Sequence, residues 1–147
     1  MNPIVRNIIA VVAGFLVGSA VNLTLVSLGP HLIPLPEGAD VSDMEGLRRS
    51  MQLFRPANFL FPFLGHALGT LVGAFTAAKV AASHHRALAL GIGAFFLLGG
   101  ITMVATVGGP VWFCAADIIL AYIPMAWLGA SLVDGRGETQ SPAAPTN

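Results

Sequence analysis

Long uncharged stretches alternate with short charged ones along this chain. Thirty residues lie between Arg6 and Glu37 without a formal charge, 23 between Arg55 and Lys79, and 30 between Arg86 and Asp117. Each exceeds the roughly 20 apolar residues that a helix needs to cross a bilayer core. A further apolar stretch, from Pro110 to Val133, is interrupted only by Asp117 and carries Trp112, Phe113, Ile118, Ile119, Leu120 and Leu128. The pattern predicts four membrane-spanning helices, over about residues 4–28, 59–82, 87–108 and 110–133.

The first two spans enclose the only sizeable polar segment, about residues 29–58. Pro30, Pro34 and Pro36 predict an extended chain at its start. After Asp40 the period changes: Val41, Met44, Leu47, Met51 and Phe54 recur at spacings of three and four, with Asp43, Glu45, Arg48, Arg49 and Gln52 between them. Ser42-Asp43-Met44-Glu45 fits a capping box, in which serine and glutamate each satisfy a free backbone N–H. A short amphipathic helix is expected over about residues 41–54, lying on the membrane surface or covering one end of the helices. Arg55-Pro56 ends it. The segment 134–147 holds Gly135, Gly137, Pro142 and Pro145 with little apolar content, and reads as a flexible tail.

Composition agrees with lipid as the solvent. Of 147 residues, 55% are hydrophobic and 10% charged, with a mean hydropathy of +0.78, whereas a soluble domain carries about 25% charged residues. Seven basic and seven acidic residues give no net charge, and no basic cluster points to nucleic acid. A single cysteine allows neither an internal disulfide nor a cysteine-based metal site. Four spans put both termini on one side. Arg6, Lys79, Arg86 and Arg136 flank that side, and Arg48, Arg49 and Arg55 the other, which favours cytoplasmic termini. The first span also has a reading as a cleaved signal peptide, with Gly18-Ser19-Ala20 as the small-residue site. Apolar residues continue beyond it through Leu23, Leu25, Val26 and Leu28, which favours an uncleaved helix.

Within the spans, small residues set the packing. Gly65, Gly69, Gly73, Ala77 and Ala81 recur at four-residue intervals in the second span, and Gly14 and Gly18 form a GxxxG step in the first. Faces so stripped of side chains allow close helix approach through dispersion and Cα–H···O contacts. Two uses remain open, packing of the first span on the second and pairing with another copy. Pro124 predicts a kink in the fourth span, and Trp112 and Trp127 read as interfacial anchors near its two ends.

Polar residues at membrane depth carry the functional interest, because burying them in lipid is costly. Counted from the long-loop end, Asn22, His66, Thr102 and Asp117 fall six or seven residues into their spans, about 10 Å deep at 1.5 Å per residue. They form a candidate polar layer together with Thr70, one turn from His66. Asp117 needs a partner most, and His66 is the intramembrane group able to supply one. The layer reads either as polar glue between helices or as a proton-titrating site beneath a small cavity. Other chemistry is thin. His84-His85 lack a nearby carboxylate or cysteine for a metal site, and Cys114 reads as a buried apolar thiol. Ser19 and Ser27 have no base in sequence reach. Gly91-Ile92-Gly93 lacks the strand and the third glycine of a nucleotide turn. No catalytic, cofactor-binding or metal-binding residue is assigned.

Residues Pro62–Ala74 (PFLGHALGTLVGA), Phe95–Gly100 (FFLLGG) and Ala121–Trp127 (AYIPMAW) resemble segments of a family of small, uncharacterised bacterial four-helix integral membrane proteins. The resemblance implies the fold, an all-α integral membrane four-helix bundle, and a bacterial inner-membrane location; it implies no activity. The expected role is a non-enzymatic structural or accessory component of a membrane assembly. The alternative is a small transporter or channel subunit that uses the polar layer. Expected partners are the lipid bilayer and either further copies of the chain or a larger membrane complex.

Overall fold

A computed structural model describes residues 1–134, and the segment expected to be a flexible tail lies outside the described residues beyond Asp134. The described chain is helical without a strand, in the order α1 (Pro3–Leu32), α2 (Met44–Ser50), α3 (Leu60–Val80), α4 (His85–Thr106), α5 (Val111–Leu120) and α6 (Ile123–Asp134). A single 3-10 turn, Pro56–Phe59, leads into α3. Four segments are long and apolar enough to cross a membrane: Pro3–Leu32, Pro56–Val80, His85–Thr106 and Val111–Asp134.

Helix α1 starts where Asn2 accepts a hydrogen bond from the Ile4 N–H at 2.8 Å and Pro3 supplies a preset φ. Its 30 residues make it about 45 Å long at 1.5 Å per residue, beyond the expected end near residue 28. Pro30 therefore lies inside the helix rather than in an extended loop. One missing N–H near a helix end costs little there. Gly29 packs on Phe61, the Ile33 N–H reaches the Gly29 carbonyl at 2.8 Å, and His31 Nδ1 lies 3.0 Å from the Ser27 carbonyl.

The loop helix is shorter than its periodicity suggested, seven residues rather than about fourteen. Asp43, not Ser42, is its N-cap, accepting from the Gly46 N–H at 2.6 Å. Ser42 is drawn off by Asp40, to which it donates through both N–H (2.9 Å) and hydroxyl (2.6 Å). These two bonds hold the exposed Asp40 carboxyl below the ordinary carboxylate range, the Ser42 hydroxyl contributing most. Ser50 at the other end of α2 clasps the Asp40 backbone, accepting from its N–H at 2.7 Å and donating to its carbonyl at 2.9 Å. Leu47, Met51 and Phe54 of the expected apolar face are half-buried, while Val41 and Met44 are exposed.

Helix α3 occupies the centre, packing on α1 along one side and on α4 and α6 along the other. Asn7 of α1 ties the far end together. Its side-chain oxygen accepts from the Ala82 N–H (2.9 Å) and the Ser83 N–H (3.4 Å), and its amide donates to Ser83 Oγ (3.1 Å). Arg6 donates to the Val80 carbonyl beside it at 2.8 Å. The α3–α4 turn is left with His84 at φ 57°, a conformation that non-glycine residues rarely adopt.

Candidate functional site

The seam between α1 and α3 sets the position of the site. A Cβ on Gly14 would stand 2.6 Å from the Gly73 carbonyl oxygen, and one on Gly18 would stand 2.7 Å from that of Gly69. The relation is reciprocal, since Cβ atoms on Gly69 and Gly73 would lie 2.8 Å and 2.7 Å from the carbonyls of Gly18 and Gly14. Ala77 fills the space beside Gly14, and Gly65 sits against Val26 and the Asn22 carbonyl. Ala81 stands one residue past α3, buried at the turn. The glycine faces thus meet within one chain. They also bring Ser19 and Asn22 of α1 level with His66, Gly69 and Thr70 of α3, where all five line one cavity.

On the other side of α3, the fourth apolar segment is broken. Helix α5 stops at Leu120, Ala121 and Tyr122 form a turn, and α6 resumes at Ile123. Pro124 lacks the N–H that would have bonded the Leu120 carbonyl, so the break occurs at its turn. Irregular backbone at membrane depth is tolerated where protein buries it, and Ala121 and Tyr122 are 0% and 2% exposed.

The break places a three-residue polar cluster. His66 Nδ1 lies 2.8 Å from Asp117 Oδ1, and the Tyr122 hydroxyl donates to Asp117 Oδ2 at 2.9 Å. Both carboxylate oxygens are therefore engaged. The His66 and Tyr122 rings lie face to face, 5.8 Å apart between centroids with 28° between planes. Gly100 of α4 leaves the space the Tyr122 phenol occupies, since a Cβ there would collide with the hydroxyl end of the ring. His66 Nδ1 is engaged with Asp117, which leaves Nε2 for another partner: an acceptor in the neutral tautomer that carries its proton on Nδ1, a donor in imidazolium.

Of the five residues expected to form one layer, four gather around His66 and one does not. His66 and Asp117 are in contact. Thr70 lines the cavity, but its hydroxyl donates to the His66 carbonyl one turn back (2.7 Å) rather than to the imidazole. Asn22 lines the cavity with no hydrogen-bond partner for its amide among the described residues. Thr102 does not join them: it is exposed, and its hydroxyl returns to the Leu98 carbonyl at 2.8 Å. The depth count had no means of placing it around the helix.

Tyr122 and Ser19 are the members that depth counting missed. Tyr122 is the sole tyrosine, five residues after Asp117 and two before Pro124, so the proline break was the available signal. Ser19 lies on the Asn22 side of α1, in the GxxxG region, and shares the cavity with His66. Cys114, on α5 with its Sγ beside Gly109, is half-buried rather than the fully buried thiol expected. His85 Nδ1 contacts the Ala78 carbonyl at 2.7 Å and His84 Nδ1 contacts Ser83 Oγ at 3.0 Å. Among the described residues no three His, Cys, Asp or Glu side chains converge on one point.

The cavity itself has a volume of about 180 Å³ and opens between α1, α3 and α4. Ser19, Asn22 and His66 give it a polar side, Phe96 and Met103 an apolar one, with Gly69, Gly99 and Gly100 between. The His66 side chain is 23% exposed and Asp117 3%, so the imidazole is reachable from the cavity while the carboxylate is not. Comparison of the chain with protein-family models, curated proteins and solved structures finds no match in any of the three.

Proposed function

We propose that the chain is a non-enzymatic, multi-pass protein of a bacterial inner membrane that serves as a structural or accessory component of a larger membrane assembly. The observation that carries this reading is the thickness of the polar cluster. His66, Asp117 and Tyr122 satisfy one another in a single layer. Toward the α3–α4 turn the core continues as Ala74, Ala78, Ala89, Ala126 and Ala130, packed with Leu90 and Val133. A transport path needs polar groups or water along its length, and an alanine core at close packing supplies neither. A polar layer of this kind holds helices in register.

In this reading α1 is uncleaved, α2 lies at the membrane surface and both termini face the cytoplasm. The glycine seam is spent within the chain, so contacts with other proteins use outward faces. Purification from native membranes in mild detergent, followed by mass spectrometry, should recover a membrane partner in fixed stoichiometry. Recovery of the chain alone, together with a pH-dependent flux in proteoliposomes that Asp117→Asn abolishes, would overturn the proposal in favour of a transporter.

A further inference from the structure

We infer that the cavity between α1, α3 and α4 binds the ring of a membrane-dissolved quinol or quinone. The inference goes beyond the accessory role and shares with it only the placement of the helices in lipid.

Position limits the ligand first. Asn22 is ten residues from the end of α1 at Leu32, and His66 is ten residues from the start of its span at Pro56. At 1.5 Å per residue both lie about 15 Å from those ends, inside helices longer than a hydrocarbon core about 30 Å thick. The cavity lies between apolar helices long enough to cross a membrane, so a ligand that reaches it through the bilayer must dissolve there.

Size limits it next. A closed apolar cavity of about 150 Å³ accepts benzene, and this cavity offers about 180 Å³. That suits one substituted six-membered ring, with any tail left in the lipid. Gly99 leaves its part of the lining without a side chain, and a Cβ there would meet nothing within 4 Å, whereas Cβ atoms on Gly69 and Gly100 would meet α1 and Tyr122. Phe96 and Met103 present an aromatic face and a polarizable thioether, which favour a π surface over a saturated chain.

Polar chemistry selects the substituent. The Ser19 hydroxyl and Asn22 amide line the cavity without partners among the described residues. His66 Nε2 is the ring nitrogen that Asp117 does not use. Neutral, it accepts from a hydroxyl; protonated, it donates to a carbonyl. Serine and asparagine likewise both donate and accept. A set of groups that can each reverse polarity matches an oxygen that is a hydroxyl in one form of the ligand and a carbonyl in the other. Asp117, held by Tyr122 on its second oxygen, fixes the imidazole in the orientation this requires.

The test uses the full chain in phosphatidylcholine nanodiscs, a benzoquinone with one isoprene unit in reduced and oxidised forms, and a prenyl alcohol as the lipid-hydroxyl rival. Bound ring is read from its ultraviolet absorbance against empty nanodiscs. Saturable binding of a single ring per chain is expected, with the prenyl alcohol weaker by about tenfold or more. Gly99→Leu, which adds a side chain at the cavity lining, should weaken binding by about tenfold or more, and Asn22→Leu by about tenfold. Gly91→Leu, in open space elsewhere on α4, should bind as the parent does. Uptake equal to that of empty discs, or a Gly99→Leu variant that melts and binds like the parent, overturns the inference. Equal competition by the prenyl alcohol reassigns the cavity to a lipid hydroxyl and overturns it as well. Should Gly99→Leu fail to fold, Ser19→Val asks the same question from α1. Partner recovery in the native membrane is scored separately, so the accessory reading stands or falls on its own.

Discussion

The two sides of α3 are held by different physics. Toward α1 the contact is backbone against backbone: Gly14 and Gly18 interleave with Gly69 and Gly73, and side chains of α1 cross by hydrogen bonds only at the far end, Arg6 to the Val80 carbonyl and Asn7 to the α3–α4 turn, among the described residues. Toward α5 and α6 small residues also approach, with a Cβ on Gly129 placed 2.6 Å from the Leu71 carbonyl. There, however, His66, Asp117 and Tyr122 add directional bonds. A steric seam tolerates rotation and sliding until a side chain blocks it, whereas a hydrogen-bonded cluster fixes one rotation of each helix. Lipid sharpens this contrast, because apolar tails compete with apolar contacts but not with a buried carboxylate.

The largest effect is expected from blocking the steric side. Gly69→Val puts a Cβ 2.8 Å from the Gly18 carbonyl and 3.0 Å from Asn22 Cβ, atoms that cannot yield without moving α1. Unfolding in detergent should show a loss of about 3 kcal/mol or more, the upper range for overpacking. Gly91→Val, with open space around it, is the control. Equal stability of the two variants would break the comparison, because α1 would then not depend on this seam.

A smaller effect tests the polar side. A double-mutant cycle of His66→Ala and Asp117→Ala should give a coupling of about 0.6–1.7 kcal/mol, the range such cycles give for hydrogen bonds between membrane helices. Tyr122→Phe should cost about 1 kcal/mol, since it removes one donor and leaves the ring in place. A coupling near zero would reduce the polar side to the same steric packing as the other.

The smallest effect lies outside both interfaces. Ser42 lowers the Asp40 pKa from its ordinary 3.8, so the contribution of Asp40 is present above that value. It is lost as pH falls through the lower folded value. Amide exchange in the 40–50 segment should accelerate in that acid window, and at neutral pH in Asp40→Ala. Exchange within the α1–α3 seam should not change in either case. Parallel loss of protection at the seam would mean that the loop supports α1, and the two regions would have to be treated as one.

Much of this was legible in the residues, for identifiable reasons. Gly65, Gly69 and Gly73 predict a close neighbour because a stripped face has no other use at membrane depth, and α1 carries the matching step. The pairing of His66 with Asp117 followed from the cost of an unpaired acid in lipid. The loop helix was overdrawn because the periodicity of Val41 through Phe54 outlasts the helix itself. Ser42 was misassigned because Asp40, two residues away, competes for it.

What the sequence determines by itself is the number of long apolar helices, their ends to within a few residues, and which faces can come close, because charge and side-chain size act locally. What only the tertiary structure decides is rotation. A helix apolar all round carries no marker of its inward side, so Thr102 could be counted into the layer and still point outward. Asp117 and Tyr122 meet because the chain breaks between α5 and α6, and Ser19 and Asn22 share the His66 cavity because the glycine seam sets the angle of α1.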